Sequence, residues 1–157
     1  MEQKQIDLEK ITFAVEPLHQ VKEEITPLLE RHWEELEWIK THKVNPDWEK
    51  YELMDKLSLL VIMTAREEGK LIGYNVFLVH PSMHYKNLKV ANQDLIYIAP
   101  ERRGFGTYFI HWSESLLREL GVDRVFYYTK AVKDFGEKIL LPQGYALVDQ
   151  VYGKEIS

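Results

Sequence analysis

Residues 92–108 constrain the fold of this chain more than any other segment, because they join a strand to a helix through a glycine-containing turn. β-Forming residues fill the first half of the segment and end at Pro100, which has no N–H to donate to a neighbouring strand. Gly104 and Gly106 allow the backbone of the turn to approach a ligand closely. A helical spacing of apolar residues follows directly and stops at Gly121.

The start of this helix has the properties of an anion site. The first turn of a helix has unpaired N–H groups and a partial positive charge, and Arg102 and Arg103 add two cations. A phosphate group is the anion that fits this arrangement best. The alternative is an ordinary strand–helix connection in which the glycines only ease the turn.

Composition indicates one folded domain over residues 1–157, with 45% apolar residues and a net charge of −5. The negative charge argues against direct nucleic-acid binding. With 0 cysteines the chain can form no disulfide and no thiolate metal site, which fits a reducing cytoplasm. No signal-peptide pattern and no apolar run of about 18 residues occurs, so we expect a soluble cytoplasmic protein without a membrane span or a metal.

Periodicity predicts an α+β fold with a mixed, mostly antiparallel central sheet flanked by helices. The expected strands are 11–15, 57–65, 71–79, 89–98, 124–129 and 146–152, and a parallel crossover joins the fourth to the fifth. Four helices are expected. The first ends near Leu36, and the second begins at 45–47 with Asn45 as its cap. The third follows the glycine turn, and the fourth spans 133–141. The first of these helices either starts at Pro27 or kinks there. His32 on its apolar stripe is either packed in the core or lines a substrate cleft.

Two common phosphate-binding motifs do not fit the turn. The Walker A string Gly-x4-Gly-Lys-Ser/Thr does not occur. The dinucleotide fingerprint requires a third glycine where this chain has Phe109, although Asp123 lies at about the expected distance of 20 residues. The antiparallel strands before the turn also leave too little chain for a dinucleotide-binding fold.

A third motif does fit. Arg103, Gly104 and Gly106 within 100–108 resemble the acetyl-CoA pyrophosphate loop of the GNAT superfamily of N-acetyltransferases, although Tyr108 stands where a small residue is usual. The order of elements is similar as well, and the pattern looks closest to the phage-type branch. That closer likeness rests on His84-Tyr85, Asp94, Tyr97, Asp134-Phe135-Gly136 and Gly144-Tyr145.

This resemblance implies a GNAT fold that binds acetyl-CoA as co-substrate. Backbone groups of the strand before the turn pair with the pantetheine arm in that superfamily, and one amide polarises the thioester carbonyl. The residues that the resemblance assigns to the cofactor are Tyr97, Ile98, Arg102, Arg103, Gly104, Phe105, Gly106, Thr107, Tyr108, Lys133 and Phe135.

Acetyl transfer to an amine requires a group that accepts a proton and a group that donates one. Asp94 on the cofactor strand and His84 on a nearby loop are candidate bases, since histidine titrates near neutral pH. Many relatives use a tyrosine as the acid, but Leu140 occupies that position here. Tyr97, Tyr127 and Tyr128 are alternative acids or packed aromatics. Direct transfer can also proceed by positioning and water alone.

The expected function is therefore an N-acetyltransferase that transfers acetyl from acetyl-CoA to a primary amine of a small molecule or protein in a ternary complex. Carboxylates on the first two helices either favour a cationic amine or form a solvated acidic face. The alternative is a non-catalytic acyl-CoA-binding or regulatory protein that retains the fold. A homodimer is also conceivable.

Overall fold

A computed structural model describes residues 6–156, in which a five-stranded sheet separates two helical layers. The strands are β1 (Ile11–Val15), β2 (Leu60–Glu67), β3 (Lys70–Pro81), β4 (Lys89–Ile98) and β5 (Arg124–Phe126). The helices are α1 (Leu18–Leu36), α2 (Trp48–Lys56) and α3 (Gly106–Glu119), with short helical turns at Leu8–Lys10, Pro100–Arg102, Gly136–Leu140 and Leu141–Gln143.

The strands follow the chain order β1-β2-β3-β4-β5 across the sheet. The first four are antiparallel neighbours, whereas β5 runs parallel to β4 after the crossover through α3. The mixed, mostly antiparallel sheet expected from the sequence is confirmed. The fifth strand is shorter than expected, because pairing with β4 ends at Phe126.

The β2–β3 hairpin turns at Glu68 and Gly69, whose φ angles of 49° and 84° both lie in the left-handed region. Ala65 pairs with Gly73 and Arg66 pairs with Leu71, so the strand carries an extra residue next to Gly73. This extra residue forms a β-bulge beside Gly73.

Helix α1 starts at Leu18 and continues through Pro27, so the alternative in which it starts at Pro27 is wrong. A proline inside a helix costs roughly 3 kcal/mol. The apolar stripe on both sides of Pro27 is buried against the sheet and offsets this cost, since each such side chain contributes about 1.5–3 kcal/mol. The buried apolar residues of α1 are Leu18, Val21, Ile25, Leu28 and Leu29.

Helix α2 begins at Trp48, and Asp47 is its N-cap because its carboxylate accepts the Lys50 N–H at 3.1 Å. The expected cap at Asn45 is therefore wrong. The turn after α2 includes Leu59, whose N–H donates to the Met54 carbonyl. For this reason β2 begins later than the predicted position 57.

Each face of the sheet buries its own apolar cluster. Helices α1 and α2 cover the face that includes Tyr74, Val76 and Tyr97. Helix α3 covers the opposite face, where Phe77, Phe105 and Phe109 are fully buried. The sheet is therefore packed against helices on both of its faces.

The chain after Gly144 departs from the sequence expectation. The final strand predicted at 146–152 is wrong, since these residues have no regular secondary structure. The helix predicted at 133–141 is reduced to a π-helical turn at Gly136–Leu140. A strand requires a neighbour for its N–H and C=O groups, and the short β5 offers these residues no ladder within residues 6–156.

Candidate active site

The strands β4 and β5 part soon after they meet. The parallel ladder joins Val90–Asn92 to Arg124–Phe126 only, and β4 then continues alone to Ile98. A last tie is made by the Tyr128 N–H, which donates to the Gln93 side-chain oxygen at 2.9 Å. Beyond this tie, no strand within residues 6–156 covers the outer edge of β4. The result is a wedge that is open toward the glycine turn.

A bulge in β4 lies inside this wedge. Phe77 pairs with Gln93 and Val76 pairs with Leu95, so Asp94 is the extra residue. A bulge bends its strand and redirects the side chain that it carries. Asp94 is exposed as a consequence, and its Oδ2 accepts a hydrogen bond of 2.5 Å from the Tyr51 hydroxyl of α2.

The backbone of β4 presents hydrogen-bonding groups to the wedge. The Ala99 N–H donates to the Ile72 carbonyl of β3 at 2.9 Å. Backbone groups alternate in direction along a strand, so those of Tyr97 face β3 and those of Ile98 and Ile96 face the open edge. The Ile98 carbonyl there accepts the Nε–H of Arg103 at 3.1 Å. Of the two cofactor residues that the resemblance assigns on β4, Tyr97 and Ile98, only Ile98 has its backbone groups directed into the wedge.

The wedge ends at the N-terminus of α3. No side chain caps this helix, and no residue in 6–156 accepts the N–H groups of Gly106, Thr107 and Tyr108. Gly104 precedes them with a φ of 127°, a conformation that favours glycine. Three unpaired N–H groups at a positive helix end fit a pyrophosphate.

The structure requires a glycine at position 104 of the turn but not at position 106. A side chain at Gly104 would be strained by its φ, and its Cβ would lie 2.6 Å from the Ile6 side chain. A Cβ at Gly106 would instead meet Ile139 and Ile98 at 3.5 and 3.7 Å, which are ordinary contacts. The fold alone does not require a glycine at position 106, so the close approach of a ligand is a sufficient reason for it.

The arginines of the turn are already paired with carboxylates. Arg102 forms an ion pair of 2.7 Å with Glu67, and Arg103 one of 2.8 Å with Glu35. Their charges are therefore largely neutralised by the protein itself. The turn can attract an anion mainly through its backbone N–H groups and the helix dipole.

Aromatic side chains fix the position of this turn. Phe105 is fully buried, with its ring centroid 6.0 Å from Phe13 and 6.2 Å from Phe109. Only the backbone of Phe105 can therefore contact a ligand. Tyr108 is 58% exposed, so the larger side chain at this position lies at the surface.

Glu35 of α1 is the centre of a charged cluster beside the turn. Its carboxylate accepts hydrogen bonds from Arg103 at 2.8 Å, from the Tyr97 hydroxyl at 3.0 Å and from Lys133. The Arg103 guanidinium, followed by Lys133 and Tyr97, lowers the pKa of Glu35 to about 2. Burial and the neighbouring Glu35 raise the pKa of Tyr97 to about 12. Lys133 and Tyr97 therefore brace the turn against α1.

His32 belongs to the core beside this cluster. Its ring stacks on Tyr97 with centroids 4.7 Å apart, and its Nδ1 lies 2.8 Å from the Tyr74 hydroxyl. Burial lowers the pKa of His32 to about 4, so the ring is neutral near pH 7. Of the two interpretations of this residue, the structure supports a packed histidine.

Solved structures share this architecture, although no protein-family model and no curated protein matches the sequence. An aminoglycoside acetyltransferase from an uncultured soil metagenomic sample is 16% identical, with 95% of this chain and 97% of that one covered and a TM-score of 0.73. A ribosomal-protein-alanine N-acetyltransferase from Brucella melitensis biovar Abortus 2308 is 23% identical, with coverages of 94% and 99% and a TM-score of 0.69. AAC(6')-Iy, in complex with the bisubstrate analogue CoA-S-monomethyl-acetylneamine, is 15% identical, with coverages of 94% and 98% and a TM-score of 0.68.

The chain has the GNAT acyltransferase fold. The likeness extends over nearly the whole chain, so the fold expected from the glycine turn is confirmed. The closer resemblance to the phage-type branch gains no support from these neighbours and stays a prediction.

The GNAT fold places His84 and Asp94 differently. His84 lies in the exposed β3–β4 loop, where its backbone N–H donates to the Ser82 hydroxyl at 3.3 Å. No side-chain contact within residues 6–156 ties His84 to the wedge. Asp94 lies in the wedge at the bulge, so only Asp94 of the two candidate bases is placed beside β4's open edge.

The sequence did not single out Tyr51, His80 and Asn92 as site residues. His80 and Asn92 lie on adjacent strands, with His80 Nε2 and Asn92 Nδ2 3.0 Å apart. Both side chains lie on one face of the sheet, because Asn92 pairs with Leu78 and His80 is two positions further along β3. The sequence alone does not give the register of β3 and β4, so it could not place the two residues together. Tyr51 could not be found in this way, because its contact with Asp94 joins separate elements.

The candidate tyrosines also differ in their surroundings. Tyr127 packs in the core, where its hydroxyl accepts the Asn75 side-chain N–H at 3.0 Å, and burial raises its pKa. Leu140 is buried with 6% exposure, and Phe135 is half-buried at the start of the π-helical turn. Tyr128 is 49% exposed.

In the part of the chain that the structure describes, no cluster of three His, Asp or Glu residues could hold a metal ion, and no helix is long and apolar enough to cross a membrane.

Proposed function

We propose that this protein is an acetyl-CoA-dependent N-acetyltransferase that acts on a primary amine of a small molecule or protein. The observation that carries the proposal is the wedge between β4 and β5, which leads directly to the unpaired N–H groups of α3. A ligand with an extended arm and a pyrophosphate matches both parts. The GNAT neighbour AAC(6')-Iy carries a CoA-containing analogue, which supports the same ligand.

The residues of the chain would divide the binding of acetyl-CoA between them. The N–H groups of Gly106, Thr107 and Tyr108 would hold the pyrophosphate. The outward-facing N–H of Ile98 would pair with the arm, since its carbonyl already accepts the Arg103 Nε–H. Phe135, half-buried at the start of the π-helical turn, would be a further contact. Acetyl-CoA itself supplies a thioester that an amine can attack directly.

Asp94 would accept the proton that the amine loses. Its Oδ2 is held by the Tyr51 hydroxyl, while no residue in 6–156 donates a hydrogen bond to its Oδ1. One carboxylate oxygen is thus positioned by α2 and the other is available. A base in this position typically contributes about 10²–10⁴-fold to the rate.

A cationic amine suits the charge around Asp94, although the acidic face of the first two helices is smaller than the sequence indicates. Glu35 is neutralised by Arg103 and Lys133, Asp47 caps α2, and Glu52 pairs with Lys22 at 2.9 Å. Asp94 therefore carries most of the proposed attraction at the bulge itself.

A non-catalytic acyl-CoA-binding or regulatory protein is the second candidate. The buried Leu140 favours it, because no acid is present at the position where many GNAT enzymes have a tyrosine. Such a protein would bind acetyl-CoA through the same amides without turnover.

Thermal unfolding with and without acetyl-CoA tests both candidates. A ligand at about 100 times its Kd stabilises the native state by about 2.7 kcal/mol. ATP at equal concentration controls for general phosphate binding. If millimolar acetyl-CoA gives no more stabilisation than ATP, both candidates are wrong.

Thiol release then separates the enzyme from the binding protein. The chain has 0 cysteines, so a thiol reagent added to the protein and acetyl-CoA reports only the CoA released. We expect release that depends on an amine from a panel of aminoglycosides, polyamines and peptides. Stabilisation without release on any amine would support the binding protein instead.

A cytoplasmic location is a further proposal, which the absence of cysteines supports.

A homodimer is also proposed. The C-terminal segment exposes apolar side chains, among them Leu147 at 76% and Val151 at 82%, and the outer edge of β5 has no partner within residues 6–156. Pairing of two copies would cover both. Light scattering should give a dimer that the Leu147→Lys/Val151→Lys variant weakens. A monomeric wild-type protein at all concentrations would contradict this.

A further inference from the structure

We propose that Tyr128 donates a proton to the leaving thiolate and that Asn92 and His80 hold its hydroxyl at the point where β4 and β5 part. This inference rests on the proposed acetyl transfer. It assigns the acid that the buried Leu140 cannot supply, and it gives a role to two residues outside the motif of the turn.

The three side chains form a hydrogen-bonded chain with a defined direction. His80 Nδ1 lies 2.8 Å from the Pro81 carbonyl, which has no proton, so Nδ1–H must donate. His80 Nε2 then accepts from the Asn92 Nδ2–H at 3.0 Å. The remaining amide oxygen of Asn92 accepts the Tyr128 hydroxyl at 2.9 Å. Each group has one role, so the position of the Tyr128 oxygen is fixed.

Tyr128 differs from the neighbouring tyrosines in what its hydroxyl contacts. The hydroxyls of Tyr51 and Tyr97 donate to the carboxylates of Asp94 and Glu35. Tyr128 donates to a neutral amide oxygen and is 49% exposed. Charge-assisted hydrogen bonds are roughly twice as strong as neutral ones. The Tyr128 hydroxyl can therefore rotate from the amide toward an anion, whereas the other two already donate to anions.

The location also suits the reaction. The Tyr128 N–H is tied to Gln93 directly after the last ladder pair, so the residue lies at the closed end of the wedge. A ligand whose pyrophosphate sits at α3 would place its opposite end here. Asn92 and Asp94 are two positions apart on β4, which corresponds to roughly 7 Å at about 3.3 Å per residue. The proposed acid and base thus border the same space.

The proton transfers balance in this arrangement. The amine nitrogen forms a bond to the acetyl carbon and loses a proton to Asp94 or water. The carbon–sulfur bond breaks, and the sulfur leaves with the electron pair and takes the Tyr128 proton. Solvent then restores that proton, which the exposure of Tyr128 allows. The products are an N-acetylated amine and CoA with a protonated thiol.

The first test measures bound CoA and needs no turnover. The chain has 0 cysteines, so the rate of alkylation by iodoacetamide reports the CoA thiolate alone. A donor at the sulfur stabilises the thiolate, so Tyr128→Phe should raise the apparent pKa of the bound thiol by about one unit. Tyr152→Phe is the matched control, because this tyrosine is 89% exposed in the C-terminal segment.

The second test measures turnover. Tyr128→Phe should lower kcat by about 10²-fold with the KM for acetyl-CoA changed less than about threefold. Asn92→Ala and His80→Phe should cost less, about three- to tenfold, because they act through Tyr128. The Tyr128→Phe/Asn92→Ala double variant should be no slower than Tyr128→Phe alone.

The outcomes are separable. An unchanged thiol pKa and an unchanged kcat in Tyr128→Phe would overturn the assignment of the acid while leaving the acetyltransferase proposal intact. Additive losses in the double variant would overturn the positioning role of Asn92 and His80. If the wild-type protein binds neither CoA nor acetyl-CoA, the proposed function fails and this inference fails with it.

Discussion

The wedge along β4 has two ends, the glycine turn and the bulge at Asp94, and they differ in chemistry. At the end near the glycine turn, the charged side chains of Glu35, Arg103 and Lys133 are paired with one another. At the other end, Asp94 is exposed and Tyr128 donates only to a neutral amide. The first end can bind a ligand through its backbone, and the second end retains side chains for proton transfer.

This difference explains why the glycine motif indicates a cofactor more clearly than a mechanism. Anion binding at a helix N-terminus depends on the backbone, which the glycines and the strand–helix connection determine. Proton transfer depends on side chains from α2, β3, β4 and β5 that meet only in the folded chain. Substitutions at each end should therefore affect binding and turnover separately.

The largest expected effect comes from Asp94→Asn. An amide keeps the shape of the side chain but accepts a proton poorly, so kcat should fall by about 10²-fold or more. Stabilisation by acetyl-CoA should remain, since the amides proposed to hold the pyrophosphate lie at the glycine-turn end of the wedge. Steady-state kinetics and thermal unfolding of the same variant measure both quantities.

Asp149→Asn in the exposed C-terminal segment is the control for Asp94→Asn. An Asp94→Asn variant with wild-type kcat would show that water or another group accepts the proton. If that variant lost acetyl-CoA binding instead, the division between the two ends of the wedge would be wrong.

The second effect concerns the amide end alone. Thr107 is exposed in the first turn of α3, so Thr107→Asp places a carboxylate beside the proposed pyrophosphate. Repulsion of about 1–3 kcal/mol should raise the Kd for acetyl-CoA by about tenfold or more. The same charge favours the helix dipole by about 0.3–1 kcal/mol, so the free protein should be no less stable.

His111→Asp places the same charge about one turn further along α3, on an exposed position. Calorimetric titration of both variants with acetyl-CoA separates a local effect from a general one. Equal weakening by the two variants would mean that the turn is not the pyrophosphate site.

The elements that local spacing predicts lie at the glycine-turn end of the wedge. The strand, the turn at Gly104 and the start of α3 were predicted because they depend on local spacing. The expected strand at 146–152 failed because its pattern specifies no partner. Asp94 was predicted as a site residue because it lies on the cofactor strand. Its contact with Tyr51 of α2 was not predicted, because neither segment contains a sequence pattern that indicates tertiary packing between them.

The third prediction concerns the paired charges and pH. The carboxylate of Glu35 has a pKa lowered to about 2, compared with an ordinary value of 4.5. A lowered pKa in the folded state stabilises the protein above pH 4.5, and this contribution disappears as pH falls toward 2. Glu35→Gln should therefore remove about 1 kcal/mol of unfolding free energy at pH 7, a value reduced for partial exposure.

The Glu35→Gln variant should also lose less stability than the wild type between pH 4.5 and 2, as urea unfolding at several pH values can show. Glu101 titrates in the same range beside Arg31, with a pKa lowered to about 2, so part of the acid sensitivity should persist. A parallel pH dependence in both proteins would show that the ion pairs of Glu35 contribute no stability.

The smallest effect is expected for Tyr97→Phe, the tyrosine that the sequence nominated for both catalysis and cofactor binding. Its backbone groups face β3, its ring is buried on His32, and its hydroxyl donates to Glu35. Removal of the hydroxyl should change kcat by less than about threefold and cost about 0.5–1.5 kcal/mol of stability for the lost hydrogen bond. Kinetics of Tyr97→Phe and Tyr128→Phe under identical conditions compare the two ends of the wedge directly. If Tyr97→Phe were slower by about 10²-fold and Tyr128→Phe were unaffected, the acid would lie at the glycine-turn end, and the roles argued for the two ends would be reversed.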